Sequence, residues 1–220
     1  MSTVGAAPNL TFVSLIHQSL RADGPRLVST VAALQPGDRE SRLPEVRTMY
    51  GKYREQLIAH HTHEDRIFFP ALAAKAGEDA MHLDELMTQH GQLDEVLDAI
   101  EKGFGELADP ASDFEATRNN LTGELSTMVE HLTTHLDFEE KTALPMFASE
   151  MSPDEYTKLE AQARKATPRE QASFMVPWLV EHASPEQQKA LYRLAPPFRI
   201  LNLLNRRRYR RLDGALLPAA

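Results

Sequence analysis

His60-His61-Thr62-His63-Glu64-Asp65-Arg66-Ile67-Phe68-Phe69-Pro70 decides how this chain is read, because it returns as His135-Leu136-Asp137-Phe138-Glu139-Glu140-Lys141-Thr142-Ala143-Leu144-Pro145. Both copies carry His, an acid four residues on, and Pro ten residues on. With 32 acids and 14 prolines in 220 residues, a given His has both followers by chance about once in a hundred. Two copies among nine histidines are therefore a signal. Residues four apart on an α-helix share a face, with Cβ atoms roughly 6 Å apart. An imidazole and a carboxylate at that spacing reach one small volume. Two such pairs on two helices offer two nitrogens and two carboxylates that can bridge a pair of metal ions.

Working outward, helical periodicity predicts four long helices. The first runs from about Leu10 to Leu34 with Val13, Ile16, His17, Leu20, Leu27, Val28 and Val31 on one stripe, kinked at Asp23-Gly24-Pro25 but in phase across it. The second, from about Leu43 to Ala74, carries Val46, Met49, Tyr50, Tyr53, Leu57, His60 and Glu64 inward, and Pro70 should kink or unwind its last turns. The third, about Glu78 to Leu107, places His90 among leucines. The fourth, about Phe114 to Ser149, places His135 and Glu139 likewise.

His17 precedes His60 by the same order of spacing as His90 precedes His135, so the segment is a helical hairpin repeated. Two hairpins with short loops predict an all-α, up-down-up-down four-helix bundle over residues 1–150. Read singly, a histidine on an apolar stripe is an ordinary hydrogen-bonded core residue. Read together, buried carboxylates need a cation nearby, since two of them side by side in an apolar core would cost several kcal/mol.

Composition narrows the chemistry. The chain has no cysteine, which excludes disulfides and thiolate ligation and leaves nitrogen and oxygen as metal donors. No segment approaches the roughly 18 apolar residues of a membrane span, no secretory leader is evident, and a soluble, cytoplasmic protein is expected. The net charge of −8 is uneven: from Arg193 onward the balance is +6, leaving −14 on the first 192 residues.

These residues resemble the hemerythrin-like, or HHE cation-binding, proteins. The resemblance spans about residues 10 to 150. It rests on the lone His17, His60-x-x-x-Glu64, the lone His90, and His135-x-x-x-Glu139, with the trailing Phe-Phe-Pro and Ala-Leu-Pro. It implies two iron ions with a bridging oxo or hydroxo group, ligated by His17, His60, His90 and His135 and bridged by Glu64 and Glu139. Oxygen-carrying members place two histidines four apart on the third helix. Here the neighbours of His90 at that spacing are Leu86 and Asp94. His131, one turn before His135, is the candidate replacement, as a ligand or as a hydrogen-bond partner to one. His61 and His63 flank the stripe and are expected to face solvent or to support ligands, with ligation by either as the lesser alternative; His82 and His182 are expected to lie at the surface. Tyr53, two turns before His60, is a candidate catalytic residue whose hydroxyl would lie near the centre. An ordinary core tyrosine is the alternative.

The expected ligands are hydrogen peroxide, dioxygen or nitric oxide, and peroxide decomposition is the leading activity. Reversible dioxygen binding, iron or oxygen sensing, and a structural zinc site are the competing classes. Residues 151–220 predict a C-terminal helical extension, with helix starts at Ser152-Pro153, Thr167-Pro168 and Ser184-Pro185, docking on the bundle or on a protein partner. The basic run from Arg206 to Arg211 is read as a charged tail. Nucleic acid is not the expected main partner.

Overall fold

A computed structural model describes residues 6–218. Among them there are helices and no strand. The first is α1 (Thr11–Ala32), which runs unbroken through Pro25. After a 3-10 turn at Pro36–Asp38 comes α2 (Leu43–His63), with Pro44 in its first turn, where a missing N–H leaves no internal bond unmade. A π turn at Glu64–Phe68 leads into α3 (Phe69–Ala76). Gly77, at φ 56°, ends that helix in a conformation that side chains with a Cβ disfavour. α4 (Met81–Ala108) and α5 (Phe114–Lys141) follow, the latter capped by the Asp113 carboxylate accepting from the Ala116 N–H. α5 breaks at Thr142 and continues as α6 (Ala143–Glu150).

α1, α2, α4 and α5 form the bundle: each of the pairs α1–α2, α2–α4, α4–α5 and α5–α1 is in contact, closing the ring. Gly24 permits close approach at its centre, because a Cβ there would stand 3.0 Å from Val129 Cγ2 and 3.3 Å from the Tyr53 hydroxyl. The core is not continuous along the bundle. Leu57, Leu93 and Leu132 belong to one apolar cluster, and Phe69, Leu86 and Ala143 to another. The histidines and glutamates of α2, α4 and α5 lie in sequence between these members, so a buried polar layer separates two apolar clusters.

The extension comprises α7 (Pro153–Ala166), α8 (Arg169–His182), α9 (Pro185–Leu194) and α10 (Pro197–Asp213). Ser152 and Ser184 form reciprocal capping boxes with Glu155 and Gln187, as their spacing predicts. α8 instead begins after Pro168 without a side-chain cap. Trp178, Leu179, Leu191, Tyr209 and Leu216 enter the larger bundle cluster, so the extension shares a core with the bundle.

A buried carboxylate ties the two together. Asp23, fully buried on α1, accepts from Trp178 Nε1 at 2.8 Å and from Arg26 at 2.7 Å, and His182 Nε2 stands 3.3 Å away. Arg26 also holds Asp213 of α10 at 2.7 Å. His182 is thus turned inward from the surface position expected of it, because Asp23 requires donors once α8 excludes water from it. No helix among the described residues is long and apolar enough to cross a membrane.

Candidate metal centre

Seven buried side chains from α1, α2, α4, α5 and the π turn converge in the polar layer. His17, His60, Glu64 and Glu139 form one group, and His61, His90 and His135 a second; within each group the donor atoms lie within 4.8 Å of one another. His17 Nε2 is 3.1 Å from His60 Nε2 and 3.1 Å from Glu139 Oε2. Glu64 spans the groups, with Oε1 3.3 Å from His60 Nδ1 and Oε2 3.5 Å from His90 Nε2. Glu139 does the same, with Oε2 4.0 Å from both His60 Nε2 and His135 Nε2. Donors about 3 to 4 Å apart are spaced as neighbours on a shared ion, each about 2.1 Å from it.

The outer ring nitrogens are already held. Nδ1 of His17 meets Glu140 at 3.0 Å, Nδ1 of His90 meets Asp65 at 2.8 Å, and Nδ1 of His135 meets Gln89 at 3.2 Å. Glu140 is itself gripped by Arg21 at 2.6 Å. A proton fixed on the outer nitrogen leaves the inner one with its lone pair free, as a metal ligand requires. Inside the layer, His90 Nε2, His135 Nε2, both nitrogens of His61, Glu64 Oε2 and both oxygens of Glu139 are buried without hydrogen-bond partners. So many orphaned acceptors in one place fit a site built for cations.

The electrostatics agree. Burial, and then the Glu139 charge, push the Glu64 carboxyl well above its ordinary range. Burial would also raise Glu139, but His17 beside it holds it below. Burial lowers His60, His61 and His135, the last to about 4, and the neighbouring imidazoles lower them further. His17 is the exception: burial would depress it, yet Glu139 and Glu140 raise it to about 9. Two ions in the layer would take over the role of that proton and satisfy both carboxylates.

A family model of the hemerythrin HHE cation-binding domain matches residues 10–147, which hold all seven side chains. The chain belongs to the hemerythrin HHE cation-binding family. No curated protein and no solved structure matches it.

Relative to the sequence reading of this hemerythrin-family chain, His17, His60, Glu64, His90, His135 and Glu139 come together. His131 does not; it is exposed. The inward stripe of α5 runs through Met128, Leu132, His135 and Glu139, and His131 falls outside it. The fifth histidine of the cluster is His61, one of three left open for that place and expected to face solvent or support a ligand; it is 3% exposed and stacked on His90 with ring centroids 3.9 Å apart. α2 has α1 on one side and α4 on the other, so two consecutive residues about 100° apart can serve both: His60 turns to His17 and His61 to His90.

Tyr53 takes the second of its two expected places, that of a core tyrosine. Its hydroxyl donates to the Leu20 carbonyl at 3.1 Å, and the residue packs α1 against α2 within the apolar core. Where a kink or unwinding was expected around Pro70, the helix instead widens earlier, in the π turn that begins at Glu64 itself. A π turn adds a residue to the turn and is found often at functional sites. Three supporting residues were missed, Asp65, Gln89 and Glu140. A signal for two of them was in the repeat: each clustered glutamate is followed directly by a second acid, Glu64-Asp65 and Glu139-Glu140.

Proposed function

We propose that this chain holds two iron ions between its two histidine groups and decomposes hydrogen peroxide there, reacting with nitric oxide as a second small ligand. The observation that carries this reading is the asymmetry of the layer. One group has three histidines and the other two, and a cavity reaches His60, Glu64 and Glu139 of the two-histidine group. A small molecule would therefore approach the side with fewer imidazole donors. A pair of redox-active ions supplies electron exchange there, reducing one peroxide to water while oxidising another to dioxygen.

The chain's own residues do the rest. Glu64 and Glu139 would be shared between the ions, with charge to offset their changes of oxidation state. Asp65, Gln89 and Glu140 hold the imidazoles in one orientation, so the donor set is preorganised. Reversible dioxygen binding, or sensing without turnover, is the second reading; the apolar residues around the cavity favour it, since dioxygen and nitric oxide partition into apolar surroundings.

The test is iron content per chain together with oxygen release from hydrogen peroxide by iron-loaded protein, with His135→Ala as control. Release well above the control supports turnover. A stable, reversible dioxygen adduct without oxygen release returns the protein to the binding class.

A further inference from the structure

The cavity beside the two-histidine group is larger and more apolar than hydrogen peroxide needs. It has a volume of about 120 Å³ and is walled by Phe12, Ile16, Phe68, Phe147, Met175 and Trp178. The family match ends at residue 147, so Met175 and Trp178 belong to helices that this chain adds to the bundle. His60, Glu64, Glu139, Glu160 and Gln171 are among its buried polar members, and exposed Arg164 lies where it meets solvent. An apolar cavity of about 150 Å³ elsewhere is known to stay dry and to bind benzene. A six-carbon ring is therefore the size of body this chamber accommodates.

One more group lines it. Gln56 is 3% exposed, and its amide nitrogen has no hydrogen-bond partner. A buried donor left in that state is destabilising until an acceptor reaches it. The ligand that satisfies walls, donor and carboxylates together has an apolar body and one oxygen-bearing head.

We infer that this chamber takes a small alkyl hydroperoxide as an oxidising substrate of the centre, its carbon body among the aromatic walls and its oxygens toward Gln56 and the bridging carboxylates. This rests on the peroxide reading given above. The O–O bond of ROOH breaks and takes up two electrons and two protons, giving ROH and water. Hydrogen peroxide supplies both electrons and both protons and leaves as dioxygen, so ROOH and H2O2 yield ROH, H2O and O2.

Trp178 is the only tryptophan of the chain and reports on the chamber directly. Cyclohexanol, the alcohol product of cyclohexyl hydroperoxide, is unreactive and transparent where tryptophan is excited. Added to the full-length protein without iron, it should shift the Trp178 emission saturably, with a dissociation constant on the order of 1 mM. Methanol, which has the head without the body, should not. Ala172→Phe, which fills the chamber, should weaken the response at least about tenfold, and Gln56→Leu about fivefold.

No saturable shift, or an equal shift with methanol, overturns the inference whether or not hydrogen peroxide is decomposed. A saturable shift with iron-loaded protein that leaves cyclohexyl hydroperoxide intact in the presence of hydrogen peroxide overturns the substrate assignment. Release of one dioxygen per hydroperoxide consumed supports it. Absence of oxygen release from hydrogen peroxide alone, with cyclohexanol still bound, instead tells against the peroxide reading of the centre.

Discussion

Asp65 Oδ1 stands 2.8 Å from Nδ1 of His90, and the two residues belong to opposite halves of the internal repeat. The mirror relationship holds between Glu140 and His17 at 3.0 Å. Each half thus orients the lone histidine of the other. Asp65→Ala should lower metal affinity about 10- to 100-fold, the usual effect of losing the partner that fixes a ligating imidazole. Chelator competition would measure it; an unchanged affinity would show that Asp65 does not position His90.

His61 and His131 separate the sequence expectation from the structure. His61→Ala should reduce bound metal sharply, because it removes one of three histidines from its group. His131→Ala, at an exposed position, should leave metal content within error. Elemental analysis of the two purified variants decides between them, and equal loss in both would contradict the assignment of His61.

Glu64 is expected to act in opposite directions on folding and on metal binding. Without metal, Glu64→Gln removes a carboxyl whose ionised form burial and Glu139 disfavour, and should stabilise the fold by about 1 to 2 kcal/mol. With metal, the same change removes one of the two bridging carboxylates and should sharply lower binding. Denaturant titration of the metal-free variant, paired with its metal content, checks both signs.

Asp23 makes a prediction about acid stability. Burial alone would raise its pKa, but His182, Arg26 and Trp178 lower it below the ordinary 3.8. A carboxyl depressed on folding contributes stability that is present above pH 3.8 and is lost as pH falls through the lower folded value. Asp23→Asn should therefore cost about 3 kcal/mol at pH 7, and the difference from wild type should shrink steadily below about pH 4. Melting temperatures of both proteins from pH 7 to pH 3 measure it, and a gap that widens in acid would reverse the sign.

The four bundle helices and six of the seven clustered side chains were legible in the sequence, because a helix repeats its buried face at fixed steps and the histidines and glutamates fall on those steps. His61 was not, since a single stripe cannot show that α2 serves two neighbours at once. Pro70 signalled an interruption of the second helix, but nothing in the periodicity showed that it would be a π turn starting at Glu64. Asp65 and Glu140 find their partners on other helices, so the periodicity of one helix gives them no role. His182 looked exposed for the same reason: only the docking of α8 brings it to Asp23.

The crossed orientation of His17 and His90 carries a consequence for ancestry. A single hairpin has a bridging glutamate and an orienting acid, but nothing to orient its own lone histidine. Only by pairing with a twin around a two-fold axis would it complete the set, so a half-length forebear would have worked as a homodimer. Cutting the present chain at Gly77–Ala80 and co-expressing the pieces recreates that arrangement. The pieces should bind metal together and neither should bind it alone.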